Sequence, residues 1–257
     1  MDREVPDAVD GWDVPVWEKT TIDLAARADI REAGPSRRPV RAARQTVRPE
    51  WQGPSAVPLS RRTLLNNPDD GTRLPDYRDI ATALRHVGDD DLPGLYRRVA
   101  FGVLVNNTDD HLRNLDVLRD GAAWRLAPTF DVNPEPDAGK QRHTSIAGRT
   151  TPVGRGNGLV ELARHCRVPR NAALAELDDL RDRLTGWQDV GAANGAQPRE
   201  IARFARELGM VHDTIFPGPP ATIWARPRDI PSLLCMLTSA SMPRSTNWSP
   251  PPQRDGR

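Results

Sequence analysis

Residues 106–114 read NNTDDHLRN, a run too rich in Asn and Asp to continue the apolar helix that leads into it. Before it, Leu95, Val99, Val103 and Leu104 recur at helical spacing after Asp91, with Pro93 suited to a first turn. After it, Leu115 to Leu118 and Ala123 to Leu126 are short apolar runs separated by Arg119, Asp120 and Gly121. Asp-Gly between such runs is a strong hairpin signal. The chain must therefore bury a helix, leave it through a dense polar loop, and return at once through a hairpin. Few arrangements satisfy all three demands.

The rest of the chain reads as helix with two irregular segments. Asp13 is placed to cap a helix from about Val16 to Ala28, with Trp17, Thr21, Leu24 and Ala25 on one face. Pro75 and Asp76 open a helix carrying Ile80, Ala83, Leu84 and Val87. From Leu159 onward the pattern is helical again. Leu174, Leu177, Leu180, Leu184, Trp187 and Val190 form one apolar stripe, and Ile201, Phe204, Ala205 and Leu208 form the face of a last helix that begins near Pro198 and that Gly209 is placed to end. The segment from Gly34 to Arg62 holds seven arginines, one glutamate and five prolines without periodicity, and reads as coil. A basic arm for nucleic acid, a linker and out-of-frame translation all have this composition. Pro217 to Arg257 contains nine prolines and reads as a disordered tail. The predicted fold class is mainly α with a small β-hairpin, divided as 1–30, 31–62, 63–216 and 217–257.

Composition limits the partners. With 36 basic and 35 acidic side chains the formal charge is +1, so no global field draws in nucleic acid or an anionic membrane, and direct nucleic-acid binding is not expected. Two cysteines, Cys166 and Cys235, match neither a disulfide framework nor zinc-ligand spacing and suit a reducing cytosol. The N-terminus MDREVPDAVDGW lacks the basic flank and apolar core of a signal peptide, and no later stretch is apolar enough to span a membrane. The expectation is a cytoplasmic protein.

The chemistry lies in the polar loop and just beyond the hairpin. Phosphoryl transfer needs a carboxylate beside the acceptor hydroxyl, and an amide plus a second carboxylate to hold the divalent ions that neutralise the phosphates. Asp109 precedes Asn114 by five positions, the spacing of a kinase catalytic base and its metal-binding Asn, and Asp131 follows the hairpin. Taken singly, Asn106 to Asp110 reads as an Asx-rich turn and Asp131 as a strand-end residue. Taken together, spacing and topology point to a magnesium site of oxygen ligands, which is hard-cation chemistry and implies no zinc. His111 either bonds a phosphate oxygen or holds the loop backbone.

The runs FGVLVNNTDDHLRN, GAAWRLAPTFDVNPEP and KQRHTSI resemble the C-terminal lobe of the HipA family of toxin kinases. WDVPVWEKTTIDLAARADI resembles that family's N-lobe helix, and the similarity runs on through TGWQDVGAANGAQPREI. The resemblance implies a serine/threonine kinase toxin of a type II toxin-antitoxin system, using ATP and Mg2+ to phosphorylate a protein of translation and silenced by a HipB-like DNA-binding antitoxin. It assigns Asp109 as catalytic base, Asn114 and Asp131 as magnesium ligands and His111 as a nucleotide contact. The family's phosphate loop, ATP-contacting lysine and hinge signature have no match here, so impaired activity is expected. A non-catalytic pseudokinase or interaction module that binds an antitoxin-like partner is the alternative.

Overall fold

The computed structural model describes residues 11–30, 58–60, 74–87, 92–111, 114–120 and 123–216. The expectations of coil over most of 31–62 and of a disordered tail over 217–257 lie outside these residues, as does Cys235. Cys166 is a buried thiol without a disulfide.

Helix α1 (Val14–Arg27) starts where its cap residue predicts, with Asp13 Oδ1 accepting from the Val16 amide at 3.3 Å. Its inner face carries Trp17, Thr20, Thr21, Leu24 and Ala25. Helix α2 (Tyr77–Val87) is opened by Asp76, whose Oδ1 accepts from the Arg78 amide at 2.8 Å. Helix α3 (Leu92–Leu104) is buried over most of its circumference, Leu95, Tyr96, Val99, Ala100, Phe101 and Val103 included, which makes it the central helix. Strands β2 (Asp116–Asp120) and β3 (Ala123–Leu126) form the antiparallel hairpin, with Val117 opposite Leu126. The hairpin has a neighbour that its own sequence does not announce. Strand β1 (Pro58–Ser60), from the segment read as coil, pairs antiparallel with β2, with Leu59 opposite Val117.

A short 3-10 turn (Pro152–Gly154) leads into α4 (Arg155–His165), followed by α5 (Arg170–Leu184), α6 (Trp187–Asn194) and α7 (Pro198–Ile215). Two sequence expectations are adjusted here. The apolar stripe from Leu174 to Val190 is continuous, but Gly186 takes φ 76° and divides it between α5 and α6. Gly209 does not end the last helix, because Val211 and Ile215 extend its buried face for another turn and a half. Among the described residues no helix is long and apolar enough to cross a membrane.

The helices share one core. Trp17 of α1 stacks on Phe204 of α7, with ring centroids 3.8 Å apart, and lies 5.8 Å from Trp187 of α6. Buried Glu200 ties two helix N-termini together. Its carboxylate accepts from Trp17 Nε1 and the Asp13 amide, each at 3.3 Å, and completes the capping box of α7 with Gln197.

At the other end of α7, His212 is wholly buried, and its Nε2 meets the Leu104 carbonyl at 3.1 Å. Burial first, then the charge of Arg181, pushes its pKa down to about 4 against the hydrogen bond to Leu104. The folded state thus favours the neutral ring, whereas an unfolded histidine titrates near ~6.5. Stability present above that pH is expected to drain away as pH falls toward 4, by about 3 kcal/mol in all. Denaturant titrations of the protein and of His212→Gln across this range check it. A variant that loses stability as steeply as the parent would show that other groups carry the acid sensitivity.

Candidate active site

Helix α3 ends in a left-handed residue, Asn106, at φ 52°. The Asn107 amide bonds back to the Gly102 carbonyl at 2.8 Å and the Asn106 amide to the Val103 carbonyl at 3.0 Å, the paired bonds of a Schellman motif. Asn is among the few side-chain-bearing residues that tolerate this conformation cheaply. The cap turns the chain sharply into the polar loop, and the first half of that loop is buried: Asn106, Asn107 and Thr108 are at most 5% exposed.

Buried backbone at such density needs partners, and residues 135–144 supply them. Asn106 Nδ2 donates to the Glu135 carbonyl at 2.6 Å, and the Glu135 amide donates to the Asn106 carbonyl at 3.1 Å. Arg155 Nη1 donates to Asn106 Oδ1 at 2.7 Å, and its Nη2 to the Lys140 carbonyl at 2.9 Å. Arg142, fully enclosed, places Nη1 on the Asn107 carbonyl at 2.5 Å and Nη2 on Asp110 Oδ2 at 3.1 Å. The His143 amide reaches the Thr108 carbonyl at 3.1 Å, and the Thr144 hydroxyl donates to the Asp110 carbonyl. Burial and then the charge of Arg142 bring the Arg155 pKa down to about 10, so the Arg155 guanidinium stays charged at neutral pH. A second strap begins at Asp76, which accepts from the Ser145 hydroxyl at 2.7 Å and the Gly148 amide at 2.6 Å. Burial opposes ionisation of Asp76, but these bonds and Arg78 outweigh it and hold its pKa below the usual carboxylate value.

The polar loop emerges at Asp109, whose side chain is 56% exposed. Its Oδ1 lies 2.7 Å from His111 Nε2 and 3.6 Å from His143 Nε2. The two imidazoles stack, centroids 4.1 Å apart. Asn114 Nδ2 donates to the Asp109 carbonyl at 3.2 Å and also bonds the carboxylate of Asp131. Asp131, at φ 54°, accepts from Asn133 Nδ2 at 3.0 Å. Burial first, then the charge of Asp109, raises its pKa above the ordinary value, while Asn114, Asn133 and His111 pull the other way. Glu18 of α1 is raised too, by burial and then by Asp131. All four residues singled out from the sequence, Asp109, His111, Asn114 and Asp131, therefore lie together. Asn114 and Asp131 line a shared cleft with Asp110 and Thr129.

Four residues of this site escaped sequence reasoning. Arg142 and Arg155 look like ordinary solvated arginines in a polar stretch, and His143 has no motif spacing to Asp109. Glu18 sits on a helix far away in the chain. The donor set of Asp131 and Asn114 fits a hard divalent cation, because a buried carboxylate in the field of Asp109, with Glu18 raised in turn by Asp131, is what such a cation relieves.

The sequence model of the HipA-like C-terminal domain matches residues 60–187. The chain belongs to the HipA-like family. The matched HipA-like domain holds Asp109, His111, Asn114 and Asp131 together with Arg142, His143 and Arg155, whereas α1, with Glu18, and α7 fall outside it. The structure is similar to that of HipA from Shewanella oneidensis MR-1, solved with HipB and its operator DNA, with a TM-score of 0.56 at 12% identity. The likeness covers 79% of this chain and 55% of that one, so this HipA-like chain spans little more than half the length of that relative. No curated protein matches this sequence.

Proposed function

We propose that this chain carries the catalytic lobe of a protein serine/threonine kinase that transfers the γ-phosphate of ATP to a protein hydroxyl. The observation that carries the reading is the meeting of Asp109, Asn114 and Asp131 across the hairpin, in the order and spacing that phosphoryl transfer requires. Magnesium, when bound with ATP, supplies neutralisation of the phosphate charge, and Asn114 and Asp131 are the residues that would hold it. Asp109, exposed at the end of a loop whose base is clamped, is placed to accept the proton of an incoming hydroxyl. His111 orients that carboxylate through Oδ1 and is a candidate nucleotide contact. Glu18 adds negative charge beside Asp131, which sharpens the site's demand for a cation.

The role of a toxin silenced by a HipB-like antitoxin is part of the same proposal, supported by the HipA-like domain and by the structural relative, which was solved with HipB. Its protein substrate and cytoplasmic location belong to the same proposal.

Calorimetry with ATP, in the presence and absence of magnesium, tests the site directly. Magnesium-dependent ATP binding is expected, and Asp131→Asn is expected to weaken it by roughly tenfold or more, a loss of about 1.4 kcal/mol at least. Binding that ignores both magnesium and the substitution would remove the kinase reading and leave the non-catalytic module, for which capture of an antitoxin-like protein without phosphate transfer is the signature.

A further inference from the structure

We propose that Asp109, His111 and His143 form a binding site for a transition-metal ion of the zinc class, distinct in chemistry from the magnesium site beside it. The ligand atoms of these three side chains all lie within 4.8 Å of one another. Both imidazole Nε2 atoms address the same carboxylate oxygen, at 2.7 and 3.6 Å. Tetrahedral zinc, with bonds of roughly 2.0–2.2 Å to nitrogen and oxygen, needs ligand atoms about 3.3–3.5 Å apart. The two separations to Asp109 Oδ1 bracket that value and the third pair lies within 4.8 Å, so the atoms are close enough for one ion once the stacked rings turn their nitrogens toward it.

The donor types select the metal. Two imidazoles and one carboxylate suit zinc, nickel or copper, while magnesium and calcium prefer an all-oxygen shell. Asn114 and Asp131 belong to the second kind, so the two neighbouring sets of ligands suit different cations.

The backbone beneath the three ligands is already held. Asp109 and His111 flank Asp110, which Arg142 and Thr144 grip, and the His143 amide is bonded to the Thr108 carbonyl. Little ordering remains to be done when a metal arrives, which favours affinity. Three protein ligands leave a fourth position open to water or to a phosphate oxygen. A metal here would take the Asp109 oxygen that His111 now bonds, so under the kinase reading zinc would inhibit transfer. That corollary rests on the proposed function, whereas the binding site does not.

The test is a zinc titration of the full chain by calorimetry, in an excess of magnesium. One zinc ion per chain is expected. Loss of even an outer-shell partner typically weakens metal binding by roughly 10–100-fold, so His143→Ala and His111→Ala should each cost about a hundredfold or more. His86→Ala, on the exposed end of α2, should leave the affinity unchanged. To guard against a variant that fails to fold, the imidazole nitrogen signals of the unaltered protein are followed during the titration. Those of His111 and His143 should shift, and those of His86, His165 and His212 should stay. Absence of zinc binding, an unchanged affinity in His143→Ala, or shifts confined to the other three histidines would each overturn the site. A protein that binds zinc as described but neither binds nor turns over ATP would retain this site and lose the kinase reading.

Discussion

Arg142→Ala is expected to destabilise the protein by about 3–5 kcal/mol, the range for removing one partner of a buried charge pair. The side chain is fully enclosed, and the Asp110 side chain it bonds is only 13% exposed. Truncation would take the guanidinium from the Asp110 carboxylate and the Nη1 donor from the Asn107 carbonyl, beneath a loop whose neighbouring straps, from His143 and Thr144, hold only the Thr108 and Asp110 carbonyls. Arg142→Lys should recover little of the loss. One ammonium cannot reproduce a planar fork that spans a carbonyl and a carboxylate at 2.5 and 3.1 Å. Equilibrium unfolding in urea measures this as a lowered midpoint at constant slope. A change within about 1 kcal/mol, the size of an ordinary surface substitution or a little more, would mean that the strap is incidental to the loop.

Asp109→Asn is expected to lower the turnover of phosphate transfer by roughly 10²–10⁴-fold, the contribution typical of a positioned general base, while leaving stability within about 0.5 kcal/mol. The two readouts separate because the Asp109 side chain is more than half exposed, and the loop is held by Asn106, Asn107 and Asp110 rather than by its carboxylate. Asparagine keeps the size of the side chain and loses its basicity. Magnesium-dependent ATP binding should survive the change, in contrast to Asp131→Asn. Should turnover fall less than tenfold, Asp109 would be a positioning group and the base would have to be sought elsewhere in the cleft.

Much of the site was legible in local sequence because local chemistry builds it. The five-residue spacing from Asp109 to Asn114 lies within one loop, and the return to Asp131 is enforced by a hairpin whose turn signal is written in consecutive residues. The Asp13 cap and the buried length of α3 were readable for the same reason, since helix capping and periodicity depend on neighbours a few positions apart. His111 is a partial case. Its membership of the cluster was evident, but its bond to the Asp109 carboxylate was not, because ring orientation is settled by what stacks on it.

Long-range contact decided the rest. An arginine is soluble at any surface, so nothing around Arg142 or Arg155 in the chain signals that it will be sealed under the polar loop; only the carbonyls of Asn107 and Lys140, which take their guanidinium donors, create that need. His143 and Glu18 reach the site on segments whose own patterns concern other things, a polar strap and an amphipathic helix. Strand β1 comes from residues with no alternation of their own and is defined by the edge of β2 that it covers. Gly209 has the residue type of a helix stop, yet burial of Phe204, Val211 and Ile215 outweighs its roughly 1 kcal/mol helix penalty. Where three or four neighbouring residues set the free energy, the sequence could be read directly. Where the balance depended on which distant group removed water from a charge or a carbonyl, only the folded chain held the answer.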